Sequence, residues 1–139
     1  MYVKKAVYDE WNNNTDIGGM VESISWDIAE KLIKSLDGSK CTQVILSNEL
    51  DDAFICIGGG NNGFYNVFIT LDDNESFYDL LNPSGRHDNI LKLVTGGQLG
   101  NFKEDICVTI DKVLLASKTF CIEGKVEETL KWKYRSQIA

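Results

Sequence analysis

Ala53-Phe54-Ile55-Cys56-Ile57-Gly58-Gly59-Gly60-Asn61-Asn62-Gly63-Phe64-Tyr65-Asn66-Val67-Phe68-Ile69-Thr70-Leu71 is the stretch that decides the fold. Two apolar runs rich in β-branched and aromatic residues flank a glycine-rich centre, the pattern of two antiparallel strands joined by a tight connection. Asn62-Gly63 is a dipeptide that a type I′ turn favours, because both of its central residues need positive φ. Gly58, Gly59 and Gly60 just before it permit a bulge or a close backbone approach. A phosphate loop is a poor alternative. It would end in Gly-Lys-Ser/Thr and open a helix, whereas here a strand follows and the run contains no lysine.

Outward from this hairpin, Thr42 to Leu46 reads as a preceding strand and Ile90 to Thr95 as a weaker later one, before Gly96-Gly97. Tyr2 to Tyr8 alternates apolar and polar residues and predicts a strand, followed by a loop from Asn12 through Asp16 to Gly18-Gly19. Val21, Ile24, Ile28, Leu32 and Leu36 recur at helical spacing, with Ser23 or Ser25 as N-cap and Gly38 as the stop. Asp27 with Lys31 and Glu30 with Lys34 add acid-before-base pairs to that helix. A second helix is expected from about Ile110 to Ile122, with Thr109 as N-cap, Ile110, Val113, Leu114 and Phe120 on one face, and Gly124 past its end. Thr129 to Tyr134, carrying Trp132, reads as a final strand. Strands interrupted by two helices predict an α+β domain, a mostly antiparallel sheet with both helices on one face, spanning 1–139.

The chain of 139 residues is 43% hydrophobic and 25% charged, the balance of a soluble globular domain. Fourteen Lys and Arg against 21 Asp and Glu leave a net charge of −7. Such a surface repels phosphate backbones and anionic lipid, so direct binding of nucleic acid is disfavoured and a basic partner is favoured. No stretch approaches the roughly 20 apolar residues of a membrane span, and Met1-Tyr2-Val3-Lys4-Lys5 does not begin a secretory signal. Cys41, Cys56, Cys107 and Cys121 form no CxxC pair and no zinc-ligand spacing. They read as reduced cysteines of a cytoplasmic protein, with no metal and no cofactor.

The carboxylates carry more information. If the central hairpin closes near Asn62-Gly63, residues near 52 lie opposite residues near 73. Asp51 and Asp52 then meet Asp72 and Asp73 at its open end, with Glu75 nearby, and a one-residue slip leaves that proximity intact. Mutual repulsion among them is expected to raise some of their pKa values. Three readings stay open: a solvated pair of loops, a surface for a basic partner, or a calcium or magnesium site lacking the spacing of an EF-hand loop. Trp11, beside Asp9 and Glu10, would be an interface anchor if its indole is exposed, and Tyr78 is a second candidate anchor. The single histidine, His87, sits in a polar loop. Ser84 and Asp88 are too close in sequence to form a relay with it, and nothing else is expected to assemble around it.

Taken together, the glycine motifs and their order resemble an immunity-protein family of bacterial polymorphic toxin systems. Ile57 to Val67 resembles its strand–GGG–turn–aromatic–strand segment, and Val94-Thr95-Gly96-Gly97-Gln98-Leu99-Gly100-Asn101-Phe102 its second glycine motif. The helix from Ile110 through Phe120 to Gly124, then Trp132, follows the same order, although Lys103 stands where a proline is expected after Phe102. The resemblance covers roughly positions 25 to 133. It implies a cytoplasmic, non-enzymatic inhibitor, monomeric or weakly dimeric, that binds the toxin domain of a cognate secreted or contact-dependent effector. Toxins of such systems include nucleic-acid deaminases and nucleases, whose basic clefts an acidic inhibitor can occupy. On this view Gly58, Gly59, Gly60, Asn62, Gly63, Gly96 and Gly97 are architectural turns, and Asp51, Asp52, Asp72, Asp73, Trp11 and Tyr78 meet the toxin. The alternative is a small enzyme or ligand-binding module that uses the Gly58–Gly63 turn and His87.

Overall fold

A computed structural model describes residues 1–137. In chain order they form β1 (Lys5–Tyr8), β2 (Trp11–Asn12), β3 (Thr15–Asp16), β4 (Gly19–Glu22), α1 (Trp26–Lys34), β5 (Gln43–Ser47), β6 (Phe54–Gly59), β7 (Tyr65–Thr70), β8 (Ser76–Leu80), β9 (Ile90–Thr95), β10 (Gln98–Lys103), α2 (Ile110–Glu123) and β11 (Trp132–Ser136). Seven strands make one sheet in the order β11-β8-β7-β6-β5-β1-β4, and every pairing in it is antiparallel. β9 and β10 form a separate hairpin, and β2 and β3 a miniature one inside the expected Asn12–Asp16 loop. The chain is an α+β domain.

Alternation across the ladders sends Ala6, Leu46, Ile55, Ile57, Val67 and Ile69 to one face, where they are buried with Ala29 and Ile33 of α1 and Val113, Ala116 and Phe120 of α2. Both helices therefore cover the same face. The opposite face carries Met20, Val7, Ile45, Cys56 and Phe68 in one row across five strands.

The central hairpin exists, but its turn is not the expected two-residue type I′. The last ladder pair is Gly59 with Tyr65, leaving five connecting residues that wind through one 3₁₀ turn. Gly60, Asn62 and Gly63 all have positive φ. Tertiary contacts widen the loop. Asn61 donates to the Gly38 carbonyl at 3.1 Å and accepts from the Val94 amide at 2.9 Å, tying it both to the segment after α1 and to β9. Gly58 is no turn residue either. It lies inside β6, where a side chain would collide with Thr95 as β9 crosses. The two-residue turn with two positive φ values is instead Gly96-Gly97, between Thr95 and Gln98.

Ser25 caps α1, its hydroxyl accepting from the Ile28 amide. Because the helix starts at Trp26, Val21 lies on β4 and Ile24 precedes the first turn, so the expected stripe loses its phase. Ala29 and Ile33 face the core, and Ile28 is 40% exposed. The helix ends at Lys34 with Ser35 as its cap, ahead of Gly38. α2 runs from Ile110 to Glu123 and stops at Gly124, whose φ of 71° suits a residue without a Cβ. β8 and β10 are strands that periodicity did not announce.

Candidate functional site

β5 and β7 end on the same side of the sheet, so the loops that follow them, residues 48–53 and 71–75, lie together. The ladder pair Phe54–Thr70 points the chain outward at Asp52 and Asp72, and the Asp73 amide donates to the Asp52 carbonyl at 2.7 Å. Asp51 and Asp73 both sit at positive φ, a conformation that aspartate tolerates better than most side chains. The backbones of the two loops that carry the four aspartates do meet. Leu50 is 80% exposed and Leu71 40% exposed, so each loop presents the same tripeptide, Leu-Asp-Asp. That repeat was visible in the sequence and marks two apolar residues that charge alone did not single out.

The pKa values of Asp51 and Asp72 are shifted down, against the expected rise. Asp51 accepts from the Lys5 ammonium at 2.6 Å and from the Ser47 hydroxyl at 3.1 Å, and Lys5 above all holds its carboxyl below the ordinary range. Asp72 accepts from the Ser76 hydroxyl at 2.5 Å, the Ser76 amide at 2.9 Å and the Thr70 hydroxyl at 3.1 Å, and the Ser76 donors push its pKa down. The Lys5 ammonium at Asp51 and the serine and threonine donors at Asp72 favour the ionised form at both positions. Asp52 accepts from the Asn48 side-chain amide at 2.6 Å. Asp51 and Asp72 thus brace their own loops, and Asp52 and Asp73 carry charge with fewer local duties. Glu49 and Glu75 extend the acidic rim from the same two loops.

Trp11 is not beside these acids, whereas Tyr78 lies on β8 two residues from Ser76, whose hydroxyl and amide hold Asp72. Trp11 lies past the other end of β1, half-buried, its indole N–H donating to Asp9 at 2.7 Å and its ring filling the space next to Gly97. Asp9 is only 7% exposed and also accepts from the Thr42 amide at 2.7 Å, the Gln43 amide at 2.9 Å and the Thr42 hydroxyl. The Gly97 amide in turn donates to the Thr42 hydroxyl oxygen at 2.9 Å, which locks the β9–β10 turn onto this hub. Tyr78 leans on the core and packs against Tyr134, ring centroids 5.3 Å apart.

His87 does have partners. Its Nδ1 lies 2.8 Å from Asp105, and its Nε2 lies 3.0 Å from the Lys103 ammonium. These residues come from the far end of the β9–β10 hairpin, where neighbouring sequence gave no hint of them. The imidazole is 66% exposed, while Asp88 pairs with Arg86 at 3.2 Å and not with His87. Cys107 is buried and its Sγ donates to the Lys103 carbonyl, with burial pushing the thiol up to about 11. Next to Asp105 an open groove of about 400 Å³ is lined by Leu81, Asn82, Pro83, Gly85 and Lys131.

Among the described residues no group of three His, Cys, Asp or Glu is placed to hold a metal ion, and no helix is long and apolar enough to cross a membrane. No protein-family model matches the chain, and no curated protein matches it.

Proposed function

We propose that this protein is an immunity-type inhibitor that acts in the cytoplasm by binding the basic toxin domain of a cognate effector, one that acts on nucleic acid. The observation that carries this reading is the pairing of two Leu-Asp-Asp loops at one end of the sheet. Exposed leucines followed in each loop by two aspartates supply both ingredients of a binding surface, apolar contact and polar groups. Covering a fully exposed leucine is worth about 1.5–3 kcal/mol, so Leu50, 80% exposed, has more to gain on binding than Leu71, 40% exposed. The carboxylates favour encounter with a cationic cleft and disfavour wrong partners. The resemblance of the two glycine motifs to the immunity-protein family supplies the biological setting.

Co-expression in a sensitive host with the toxin domain encoded next to this gene tests the proposal. The wild-type chain should protect, and a Leu50→Ala, Leu71→Ala variant of unchanged stability should protect less. Death of cells making the wild-type chain, or full protection by the double variant, would refute the proposed surface.

One observation favours the second reading, a small enzyme: the Asp105–His87–Lys103 chain, in which a carboxylate orients an imidazole. His87→Ala separates the two. It should leave protection intact in an inhibitor and abolish function in an enzyme.

A further inference from the structure

On the face of the sheet that the helices leave uncovered, a slot of about 160 Å³ opens between the β2–β3 hairpin and strands β1 and β5. Its walls are Val7, Tyr8, Ile45 and Trp11, and two carboxylates, Asp9 and Asp16, line it. We propose that this slot receives one cationic side chain, arginine or lysine, of the protein partner. The identity of that partner rests on the inhibitor reading above; the chemistry of the slot does not.

Size is the first argument. Pockets for metabolites and drug-sized ligands run from about 300 Å³ upward. This slot has about half that volume, the scale of a single side chain.

Charge is the second. Asp9 is nearly buried, and all four of its hydrogen bonds come from neutral donors: two amides, a hydroxyl and an indole. None of these bonds is an ion pair, and near a buried carboxylate an arriving cation is felt more strongly than in bulk water. Asp16 holds the Glu10 amide at 3.0 Å and the Gly18 amide at 2.8 Å, both on Oδ1, which leaves Oδ2 to meet an incoming N–H. Those two amides also hold the Asp16 carboxyl below its ordinary pKa, so it is ionised at neutral pH.

Shape is the third. Val7 and Ile45 offer apolar contact for a methylene stem, and the Trp11 indole offers a cation a π surface. The walls are already in place. Trp11 is held by its bond to Asp9, and Asp9 by β5, so little ordering remains for binding to supply. β1 spans four residues, roughly 14 Å, between the Asp51 end and this slot, so a partner of standard interface size can cover both.

The test uses no toxin. N-acetyl-arginine amide and N-acetyl-lysine amide are titrated into the ¹⁵N-labelled protein, and the Trp11 indole resonance (assigned with Trp11→Phe) and the Gly96 amide are followed. N-acetyl-norleucine amide and N-acetyl-glutamine amide are the neutral controls. At least one cationic probe should shift both resonances saturably, with a Kd near 1 mM, while the neutral probes should not. Asp16→Asn keeps an oxygen for the two amides and removes the charge; it should weaken binding about tenfold with the rest of the spectrum in place. Val7→Phe should block the slot. Equal shifts from norleucine amide would reduce the site to an apolar dent, and no saturable shift, or undiminished binding to Asp16→Asn, would overturn the proposal. Loss of protection by the Leu50, Leu71 variant with probe binding intact is a separate outcome, so the two readings fail independently.

Discussion

Asp73 donates its backbone amide to the carbonyl of Asp52 at 2.7 Å, so two loops separated by the whole central hairpin behave as one acidic rim. Their side chains are free of the tie that joins their backbones. Substituting Asp52→Asn and Asp73→Asn together should therefore leave the melting temperature unchanged. Association with the toxin should slow by about three- to tenfold at low salt, with a shallower dependence on ionic strength. Stopped-flow kinetics at several salt concentrations check this. A wild-type rate and salt slope would place the encounter surface elsewhere.

Asp9 is expected to be a main support of the fold. Asp9→Ala leaves the Thr42 and Gln43 amides and the Trp11 indole without acceptors in a buried place. Each such orphan costs about 1–3 kcal/mol, so a total loss above about 3 kcal/mol is predicted in urea denaturation. A loss under 1 kcal/mol would show that water reaches these donors.

The glycines of the hairpin loop should differ sharply. A Cβ on Gly63 meets nothing within 4 Å, whereas one on Gly60 would lie 2.6 Å from the Leu36 carbonyl oxygen. Both have positive φ, so Gly63→Ala should cost about 1 kcal/mol of backbone strain, and Gly60→Ala clearly more because helix-side backbone must move. Equal losses would contradict this seating of the loop.

Thiol chemistry gives a simple readout. Burial pushes Cys56 and Cys121 up to about 12 and Cys107 up to about 11, and only Cys41 is part-exposed. At pH 8 a thiol reagent should label at most Cys41 in the native protein and all four cysteines after denaturation. Rapid native labelling of a second cysteine would reveal an opening of the fold.

Glu127 accepts from the hydroxyls of Thr119 and Thr129, each at 2.6 Å, and from the Thr129 amide at 2.9 Å. These donors, Thr119 first, hold its carboxyl down at about 2, against 4.5 ordinarily. A lowered folded-state pKa means that stabilisation is fully present above about pH 4.5 and is lost as pH falls toward 2. Glu127→Gln should thus destabilise the protein at neutral pH, by a margin that shrinks across that window. A margin independent of pH would show that the charge is not what the threonines hold.

The hairpin, α2 and the meeting of the acidic loops were legible in the sequence because each rests on local signals or on geometry that tolerates a shifted register. Observed pairing sets Phe54 against Thr70, one residue off the expected register, and Asp52 still meets Asp73. The phase of α1 was misread because Ile24 looked helical and lies before the cap. Ser76-Phe77-Tyr78-Asp79-Leu80 shows no clean alternation, since it is a next-to-edge strand with partial cover on both faces. His87 and Asp9 escaped for a common reason. Apart from Trp11, which is two residues from Asp9, their side-chain partners lie 16 to 34 residues away and meet them through tertiary packing.

Strand order also sets a timetable for synthesis. β8 ends at Leu80, yet its outer partner β11 begins only at Trp132. At about 5–20 residues per second, the intervening stretch of about fifty residues takes roughly 3–10 s to emerge. Throughout that interval β8 is a bare edge, and the rings of Phe68 and Phe77 lack the Arg135 guanidinium that lies 4.3 Å from the Phe77 centroid in the finished fold. The nascent chain is therefore open to mispairing at β8 until β11 emerges, and β11 acts as the latch.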